Sequence, residues 1–407
     1  MVFIIFSASL IILLKMSVNI NDYYSNEEWK IMKDECDKHK TPFAIVNLDI
    51  IEDNYNQIIK NFPFAKVYYA VKANPEPQAV KMLAGLGTCF DVASKYEFDL
   101  VLSSGGTPDR ISYGNTIKKA EDIKYCYDKG CRLFVSDSEA DLRNIAKNAS
   151  ASDVFFRILL DGSKSADWPL SFKFGTDPEI VKELILLAKE LGLNPRGVSF
   201  HVGSQQRDIT TWKTALEIVK NIFDFAKSKN INLDLINMGG GFPANYITKT
   251  AKLEEYASNI KGYLKEFFGD NLPTIVLEPG RSLFGNSGIL VTEVVLIESK
   301  SKTAKDKWLY VDTGKFNGLI ETMDESIHYP LYCEADGEDC TDFIIAGPTC
   351  DSMDVMYENF RNPLPKNIKI GDRIYWLTAG AYITSYCAVN FNGFPPVQAY
   401  CVSSRKR

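Results

Sequence analysis

The sequence predicts an α/β fold, in which a (β/α)8 TIM barrel is followed by a separate β domain. Between about residues 65 and 280, eight short β-branched or aromatic runs alternate with longer amphipathic stretches, a pattern typical of parallel strands joined by helices. After residue 285, helical periodicity nearly vanishes and strand-like pieces separated by turns follow. A doubly wound open sheet is the competing architecture, but no GxGxxG motif follows a first strand.

The segments between the predicted strands carry apolar residues at intervals of three and four, as amphipathic helices do. The clearest predicted helices are Pro77–Leu86, Pro178–Leu191, Thr211–Lys227 and Leu253–Phe268. Because the functional groups of a TIM barrel lie at the carboxyl ends of its strands, those ends locate the candidate site. The predicted strands are, in order, Val67–Ala73, Thr88–Ala93, Ile111–Asn115, Leu133–Asp137, Val154–Leu160, Gly197–Gly203, Leu233–Gly239 and Ile275–Glu278.

We expect three parts in the chain: an N-terminal extension at 1–40, the barrel at 41–283 and the β domain at 284–407. The segment TPFAIVNLDI, which begins at residue 41, is a candidate strand of the β domain. The initial apolar run MVFIIFSASLIILLK is shorter than the roughly 20 residues that a spanning helix needs. We interpret it as sequence upstream of a true start at Met16, with a membrane anchor as the alternative.

Composition excludes several classes of function. The chain has 407 residues, a net charge of −6 and no basic block beyond its last three residues, so nucleic acid is not an expected partner. Nine cysteines lack CxxC or Cys/His spacing and only three histidines occur, so we expect no metal site. An odd number of scattered cysteines favours a reducing, cytoplasmic location, and a membrane partner is not expected.

Two strand ends carry groups that suit chemistry at a barrel mouth. The run VYYAVKANPEP places Lys72 directly after an apolar strand, at the edge where barrels do chemistry. Gly239, Gly240 and Gly241 follow a later strand and would let unpaired amide groups approach a phosphate closely. Taken singly, the lysine also fits a first solvated residue, and the glycines also fit a tight turn.

Two further strand ends add an acid, a histidine and an arginine. Glu278 ends a strand in LEPGRS and could hold a proton on a heterocyclic nitrogen, while Arg281 could bind a phosphate; a rim ion pair is the simpler alternative. His201 ends another strand, with Ser204 close behind. Together these groups require a phosphorylated heterocycle with an electrophilic carbon near Lys72, and pyridoxal 5′-phosphate meets every requirement.

Seven motifs, from about residue 41 to 395, resemble the ornithine decarboxylase family of barrel-type pyridoxal phosphate enzymes: YYAVKAN, FDVASKYE, FHVGSQ, NMGGGFP, EPGRS, GPTCDSMD and GAY with FNGF. The resemblance implies an alanine racemase-like fold and decarboxylation of L-ornithine to putrescine. The motifs FHVGSQ and GKFNGLIETMDESIHYP look more like bacterial-type lysine/ornithine decarboxylases, so L-lysine is a possible second substrate. The two substrates differ by one methylene, which gives only about 1 to 3 kcal/mol of discrimination.

The resemblance also assigns roles around the cofactor. Lys72 matches the lysine that forms the Schiff base, His201 the histidine that stacks on the ring, and Glu278 the acid that keeps the ring nitrogen protonated. Asp91, Glu97 and Arg157 match residues that position the lysine and the ring. The residues that match phosphate contacts are Gly239, Gly240, Gly241, Ser204, Arg281 and Tyr382.

The substrate side of the site is also implied by the resemblance. Cys350 matches a cysteine that the partner subunit of a homodimer contributes, and that returns a proton to the α-carbon. Asp324 and Asp351 match the carboxylates that grip the distal ammonium, a charge-assisted interaction. Phe391 matches a substrate contact.

Two positions depart from the family's pattern, and three alternative functions stay open. Phe316 stands where animal-type enzymes carry tyrosine, and Asn237 stands where many relatives have aspartate, with no consequence assigned. Diaminopimelate decarboxylase shares the fold, but an aspartate pair would repel the distal carboxylate of its substrate. A non-catalytic regulator would lack the lysine or the cysteine, and a racemase would need a base on the opposite face.

Overall fold

The structure is a computed structural model that describes residues 18–160, 165–169, 172–304, 306–335 and 339–406. The apolar run at the N-terminus and the proposed start at Met16 lie outside these residues. Within them, no helix combines the length and the apolar character needed to cross a membrane. The strands are β1 Phe43–Asn47, β2 Ala65–Ala70, β3 Cys89–Val92, β4 Ile111–Tyr113, β5 Leu133–Ser136, β6 Asp153–Arg157, β7 Ala166–Trp168, β8 Asn194–Ser199, β9 Ser204–Gln206, β10 Leu235–Asn237, β11 Thr274–Leu277, β12 Gly288–Glu298, β13 Lys307–Val311, β14 Leu331–Cys333, β15 Cys340–Ala346, β16 Val355–Pro365, β17 Arg373–Trp376 and β18 Gln398–Val402.

Amphipathic helices surround the barrel and end within one residue of the clearest sequence predictions. Helix α7 shows why: Asp177 caps it by accepting from the Glu179 amide, Pro178 opens it, and its buried face recurs at three and four residues. The α-helices are α1 Asn26–Cys36, α2 Leu48–Asn61, α3 Pro77–Gly85, α4 Lys95–Ser103, α5 Ala120–Asp128, α6 Glu139–Asn148, α7 Pro178–Glu190, α8 Thr210–Ser228, α9 Leu253–Phe268 and α10 Arg281–Phe284.

Eight parallel strands close the barrel in the order β2-β3-β4-β5-β6-β8-β10-β11, and β11 returns to β2. Every strand that the sequence predicted in this region is present, so the predicted TIM barrel is confirmed. The register sets Ala70 beside Asp91, which brings the end of β2 next to the end of β3. A cluster of side chains from alternate positions fills the barrel interior: Tyr68, Val135, Phe155, Leu235 and Val276.

A second, mixed sheet follows the barrel. Its strands run β14-β17-β12-β13-β15-β16, and β1 joins it by pairing antiparallel with β12 and parallel with β18. The prediction that the segment from residue 41 supplies a strand to this sheet is therefore confirmed. The boundaries at 40/41 and 283/284 stay predictions, with β1 lying in the sheet although it falls inside the range 41–283. Helix α1 packs Met32 and Cys36 against the same sheet.

The two parts of the chain meet over the barrel mouth. Beyond β17, the Tyr382 amide donates to the Ala73 carbonyl at 2.8 Å, and Ser385 Oγ donates to the Lys72 carbonyl at 2.8 Å. On the barrel side, the short strands β7 and β9 pair with each other beside the mouth. These contacts enclose a cavity of about 290 Å³, lined by Lys72, Trp168, His201, Ser204, Glu321, Tyr382, Ser385 and Tyr386.

Candidate active site

Lys72 reaches the cavity because the chain turns as soon as β2 ends. Residues Val71–Ala73 form a single 3-10 turn, in which the neighbours of Lys72 are buried and Lys72 itself is exposed. Among the described residues that line the cavity, Lys72 is the only primary amine. The sequence prediction for Lys72 therefore coincides with a nucleophile at the barrel mouth.

Two carboxyl groups lie close to Lys72. Asp91 lies in β3, and its Oδ1 accepts a hydrogen bond from Ser112 Oγ at 2.8 Å. Burial, reinforced by the charge of Glu278, raises the pKa of Asp91 well above its usual range. A Cβ at Gly114 would lie 1.8 Å from Asp91 Oδ1, so a side chain there would displace the Asp91 carboxylate. Glu97 accepts from the Ala93 amide at 2.6 Å, and burial raises its pKa despite the nearby Lys72.

Glu278 is braced by a residue to which the sequence assigned no role. Asn237 Nδ2 donates to Glu278 Oε1 at 2.5 Å, and Asn237 Oδ1 accepts from the Gly239 amide at 2.9 Å. The Glu278 amide in turn donates to the Gly239 carbonyl at 2.7 Å. An aspartate at 237 would place a second carboxylate against that of Glu278. The asparagine amide instead donates the hydrogen bond that holds the Glu278 carboxylate in place.

His201 presents a neutral ring to the cavity. Its Nδ1 accepts from the Gly203 amide at 3.1 Å, which places the proton of the neutral imidazole on Nε2. Burial, helped by the positive charges of Arg157 and Lys72, lowers the pKa of His201 well below its usual range. Burial also lowers the pKa of Arg157, against the effect of Glu278 and Asp91. An uncharged imidazole can lie against a flat heterocycle without electrostatic cost.

The three glycines form a cradle for an anion. Gly239 and Gly241 have φ of +63° and +98°, a region that side chains disfavour. A Cβ on Gly240 would lie 2.7 Å from the Glu278 carbonyl oxygen and 3.3 Å from His201 Nε2. Within the described residues, the amides of Gly240 and Gly241 find no acceptor. Two unpaired donors beside a cavity suit a phosphate.

Arg281 is held by an acid that the sequence analysis missed. Arg281 opens α10 and donates to both carboxylate oxygens of Glu321, through Nη1 to Oε2 at 2.8 Å and through Nη2 to Oε1. Tyr382, whose pKa is raised by burial, lies with its ring 4.9 Å from the Arg281 guanidinium carbon. Glu321 lies in the ETMDES segment, in which Asp324 is the residue predicted to bind the distal ammonium of the substrate. Asp324 is exposed with φ of +52° and is not among the described lining residues.

The other substrate-side residues form a separate group on the β domain. Cys350 and Asp351 are exposed, and the Cys350 amide donates to Asn392 Oδ1 at 3.0 Å. Phe391 packs edge-on against Phe316, with ring centroids 5.1 Å apart. None of these residues lines the cavity that the described part of the same chain encloses. The structure thus gathers the cofactor-side residues around Lys72 and leaves the substrate-side residues elsewhere, where their roles stay predictions.

The model of the pyridoxal binding domain of pyridoxal-dependent decarboxylases matches residues 48–285, more than half of the chain. The chain belongs to the pyridoxal-dependent decarboxylase family. Among the relatives of this decarboxylase is the lysine/ornithine decarboxylase of Selenomonas ruminantium, 33% identical over 87% of this chain and 88% of the relative. The ornithine decarboxylase of Caenorhabditis elegans is 32% identical over 91% and 89%.

A solved structure of a similar decarboxylase agrees over nearly the whole fold. The lysine/ornithine decarboxylase of Vibrio vulnificus, complexed with cadaverine, has a TM-score of 0.82 and 28% identity, covering 93% of this chain and 99% of the other. The predicted combination of TIM barrel and β domain is therefore confirmed.

The cavity of this decarboxylase fits the family's cofactor, pyridoxal 5′-phosphate. Lys72 offers an amine to its aldehyde, and Glu278 offers a fixed carboxylate to its ring nitrogen. The cradle of Gly240 and Gly241, in which any Cβ would clash, offers two amides to its phosphate. His201 offers a neutral ring face. The aldehyde, the ring nitrogen, the phosphate and the ring face of the cofactor thus each have a residue of matching chemistry.

Proposed function

We propose that this pyridoxal phosphate-dependent decarboxylase converts L-ornithine to putrescine, a step of polyamine biosynthesis, and accepts L-lysine as a second substrate. The observation that carries the proposal is the amine of Lys72 on the cavity wall, together with the anion cradle at Gly240, which adjoins His201 on that wall and the braced residue Glu278. The names of its relatives, ornithine decarboxylase and lysine/ornithine decarboxylase, support the substrate class.

Some residues of the site would hold the cofactor, and others would control the charge around it. When bound, the pyridoxal ring supplies a sink for the electron pair that remains when carbon dioxide leaves. Glu278, fixed by Asn237, would accept a hydrogen bond from the ring nitrogen and so favour its protonated form. His201 would cover the ring with an uncharged imidazole. Lys72 would hold the cofactor through its aldehyde, and its amine would exchange with the amines of substrate and product.

We infer that the substrate side is completed by a second subunit in a homodimer. Cys350 and Asp351 are exposed on the β domain and lie away from the cavity of their own chain, as expected of residues that serve a neighbouring subunit. Cys350 then returns the proton to the α-carbon. Asp351 and Asp324 bind the distal ammonium, and Phe391 bounds the substrate.

We also propose a cytoplasmic location. Among the described residues, the buried thiols of Cys36, Cys126, Cys131 and Cys333 form no disulfide, which fits a reducing compartment. Fractionation of cells that express the full chain, followed by detection with an antibody, tests this. Recovery with membranes or in the secreted fraction would contradict it.

The function is tested by carbon dioxide release. The purified chain, supplied with pyridoxal phosphate, is offered L-ornithine, L-lysine, L-arginine and meso-diaminopimelate in parallel. We expect ornithine to lead, with lysine within about 1 to 3 kcal/mol in kcat/KM because one methylene separates them. Leadership by meso-diaminopimelate would replace the proposed substrate. Cofactor binding without release from any substrate would indicate a non-catalytic relative or a racemase.

A further inference from the structure

The pair of Arg281 and Glu321 joins the barrel to the β domain beneath the cavity. Arg281 is the first residue of α10, whereas Glu321 lies in the 3-10 segment Ile320–Glu325 of the β domain. Both side chains are only 3% exposed. A charge that is buried to this degree is stable only when it is paired and hydrogen-bonded, and here each member is the counter-ion of the other.

The donors of Arg281 are fully used within the protein. A guanidinium has five N–H donors. Besides the two bonds to Glu321, Arg281 Nη1 donates to Tyr246 Oη at 2.8 Å, and Nε and Nη2 each donate to Ser204 Oγ at 3.1 Å. An anion in the cavity therefore meets an arginine whose charge is neutralised and whose donors are occupied.

Ser204 lines the cavity together with Glu321 and contacts Arg281. Its oxygen accepts twice from Arg281, so its own proton has to point elsewhere, and no described residue accepts it. Ser204 lines the cavity, and the neighbouring Gly203 carbonyl lies 2.6 Å from where a Cβ of Gly241 would stand. The Ser204 hydroxyl and the amides of Gly240 and Gly241 are thus three uncommitted donors in one corner of the site.

We propose that Glu321 is the counter-ion that sets the phosphate affinity of this corner. It neutralises and anchors Arg281, so that a phosphate bound by Ser204 and the glycine amides meets a guanidinium whose positive charge is already balanced. Arg281 and Glu321 are therefore positioning residues. The proposal rests on the proposed function insofar as the phosphate belongs to pyridoxal phosphate.

Removal of the Glu321 charge should strengthen phosphate binding. Glu321→Gln keeps the shape of the side chain but removes its charge, which leaves a buried guanidinium without a counter-ion. A phosphate anion then supplies the missing charge, so its binding becomes more favourable. If Glu321 instead served to bind a substrate ammonium, the same change would leave phosphate binding unaltered.

The test is titration of cofactor-free protein with inorganic phosphate by calorimetry. We expect E321Q to bind phosphate at least about tenfold more tightly than the unmodified chain, a free-energy difference that pairing of one buried charge readily supplies. The matched control is E325Q, in the same segment, because the Glu325 carboxylate accepts only from backbone amides of Glu358, Asn359 and Phe360. The control should bind phosphate as the unmodified chain does. Unchanged or weaker binding by E321Q overturns the proposal.

Folding of the variant is itself informative. If E321Q folds only when phosphate is present, phosphate is replacing the lost counter-ion and the proposal is supported. If it folds under neither condition, the double variant R281Q/E321Q decides: recovery of folding supports the unpaired arginine as the cause, and failure overturns it. Phosphate binding is measured without turnover, so carbon dioxide release by the unmodified chain tests the proposed function separately.

Discussion

At the scale of single residues, Lys72 carries the strongest prediction. Lys72→Ala removes the only primary amine among the described residues of the cavity wall. We expect complete loss of carbon dioxide release and loss of the cofactor on gel filtration, because its covalent attachment is gone. Absorbance of the filtered protein measures the retained cofactor. The control is Lys220→Ala, which removes a half-buried lysine paired with Asp224 on α8, away from the described lining of the cavity. Turnover by the Lys72 variant would refute the assignment.

Gly240 gives a second residue-scale prediction. In Gly240→Ala the new methyl group would lie 2.7 Å from the Glu278 carbonyl oxygen, which is backbone and cannot move aside easily. Overpacking of this size costs about 1 to 3 kcal/mol, so we expect roughly tenfold or greater loss of cofactor affinity in a fluorescence titration.

A matched glycine substitution separates this effect from a general one. Gly262 lies in α9 with nothing within 4 Å of the position of its Cβ. Gly262→Ala should leave cofactor affinity unchanged and should stabilise the helix by up to about 1 kcal/mol. Equal cofactor affinity in the two variants would show that the cradle at Gly240 does not bind the phosphate.

Two residues show where sequence reasoning stops at this scale. Asn237 ends β10, which pairs with β11, so its contact with Glu278 at the end of β11 follows from the predicted barrel once the strand order is known. No comparable argument from strand order predicts the contact of Glu321 with Arg281. It meets Arg281 from an irregular 3-10 segment 40 residues away, and neither period two nor period 3.6 locates a side chain there.

At the scale of elements, a buried lysine joins the ends of two barrel strands. Lys118 Nζ donates to the Asn115 carbonyl beyond β4, to the Val135 carbonyl in β5 and to Asp141 Oδ2 in α6, and its side chain is 0% exposed. Lys118→Met would leave Asp141 buried without its partner. We expect the free energy of unfolding to fall by about 3 to 5 kcal/mol in chemical denaturation.

The exposed pair of Lys124 and Asp128 in α5 supplies the control for this prediction. Both members are more than half exposed. Lys124→Met should change the free energy of unfolding by about 0 to 1 kcal/mol, because water screens a surface pair. Similar losses in the two lysine variants would mean that Lys118 does not clamp the strand ends.

The elements that the sequence predicted and those that it missed differ in the local pattern around them. The long helices α8 and α9 repeat their apolar residues over several turns, and the barrel strands are apolar runs that alternate with such helices. Strands β7 and β9 have three residues each and are defined only by pairing with each other. Their existence, and the place of Trp168 on the cavity wall, therefore depend on tertiary contacts that no local pattern encodes.

At the scale of the whole molecule, the site depends on both parts of the chain. The barrel supplies Lys72 and the glycine cradle, while the β domain supplies Glu321, Tyr382 and the segment whose Ser385 contacts the Lys72 carbonyl. Cys350 is on the β domain as well, yet it is exposed and outside the cavity of its own chain. A single chain thus gathers residues of the predicted cofactor side at the cavity and leaves Cys350, predicted for the substrate side, exposed.

This arrangement predicts complementation between two inactive variants. Lys72→Ala and Cys350→Ala should each fail to produce putrescine, but a hybrid dimer has one site with an intact Lys72 from one subunit and an intact Cys350 from the other. Random mixing of a two-fold symmetric dimer should restore about a quarter of the activity of the unmodified enzyme. Affinity purification of differently tagged subunits verifies that hybrids have formed.

The control mixture places both changes on the same side of the site. Lys72 and His201 line the cavity of one chain, so a hybrid of Lys72→Ala with His201→Ala contains no intact site. We expect no recovery from that mixture. Recovery of activity in that control mixture would indicate that the subunits share a part of the site other than Cys350. Verified Lys72/Cys350 hybrids without activity would show that Cys350 acts within its own chain.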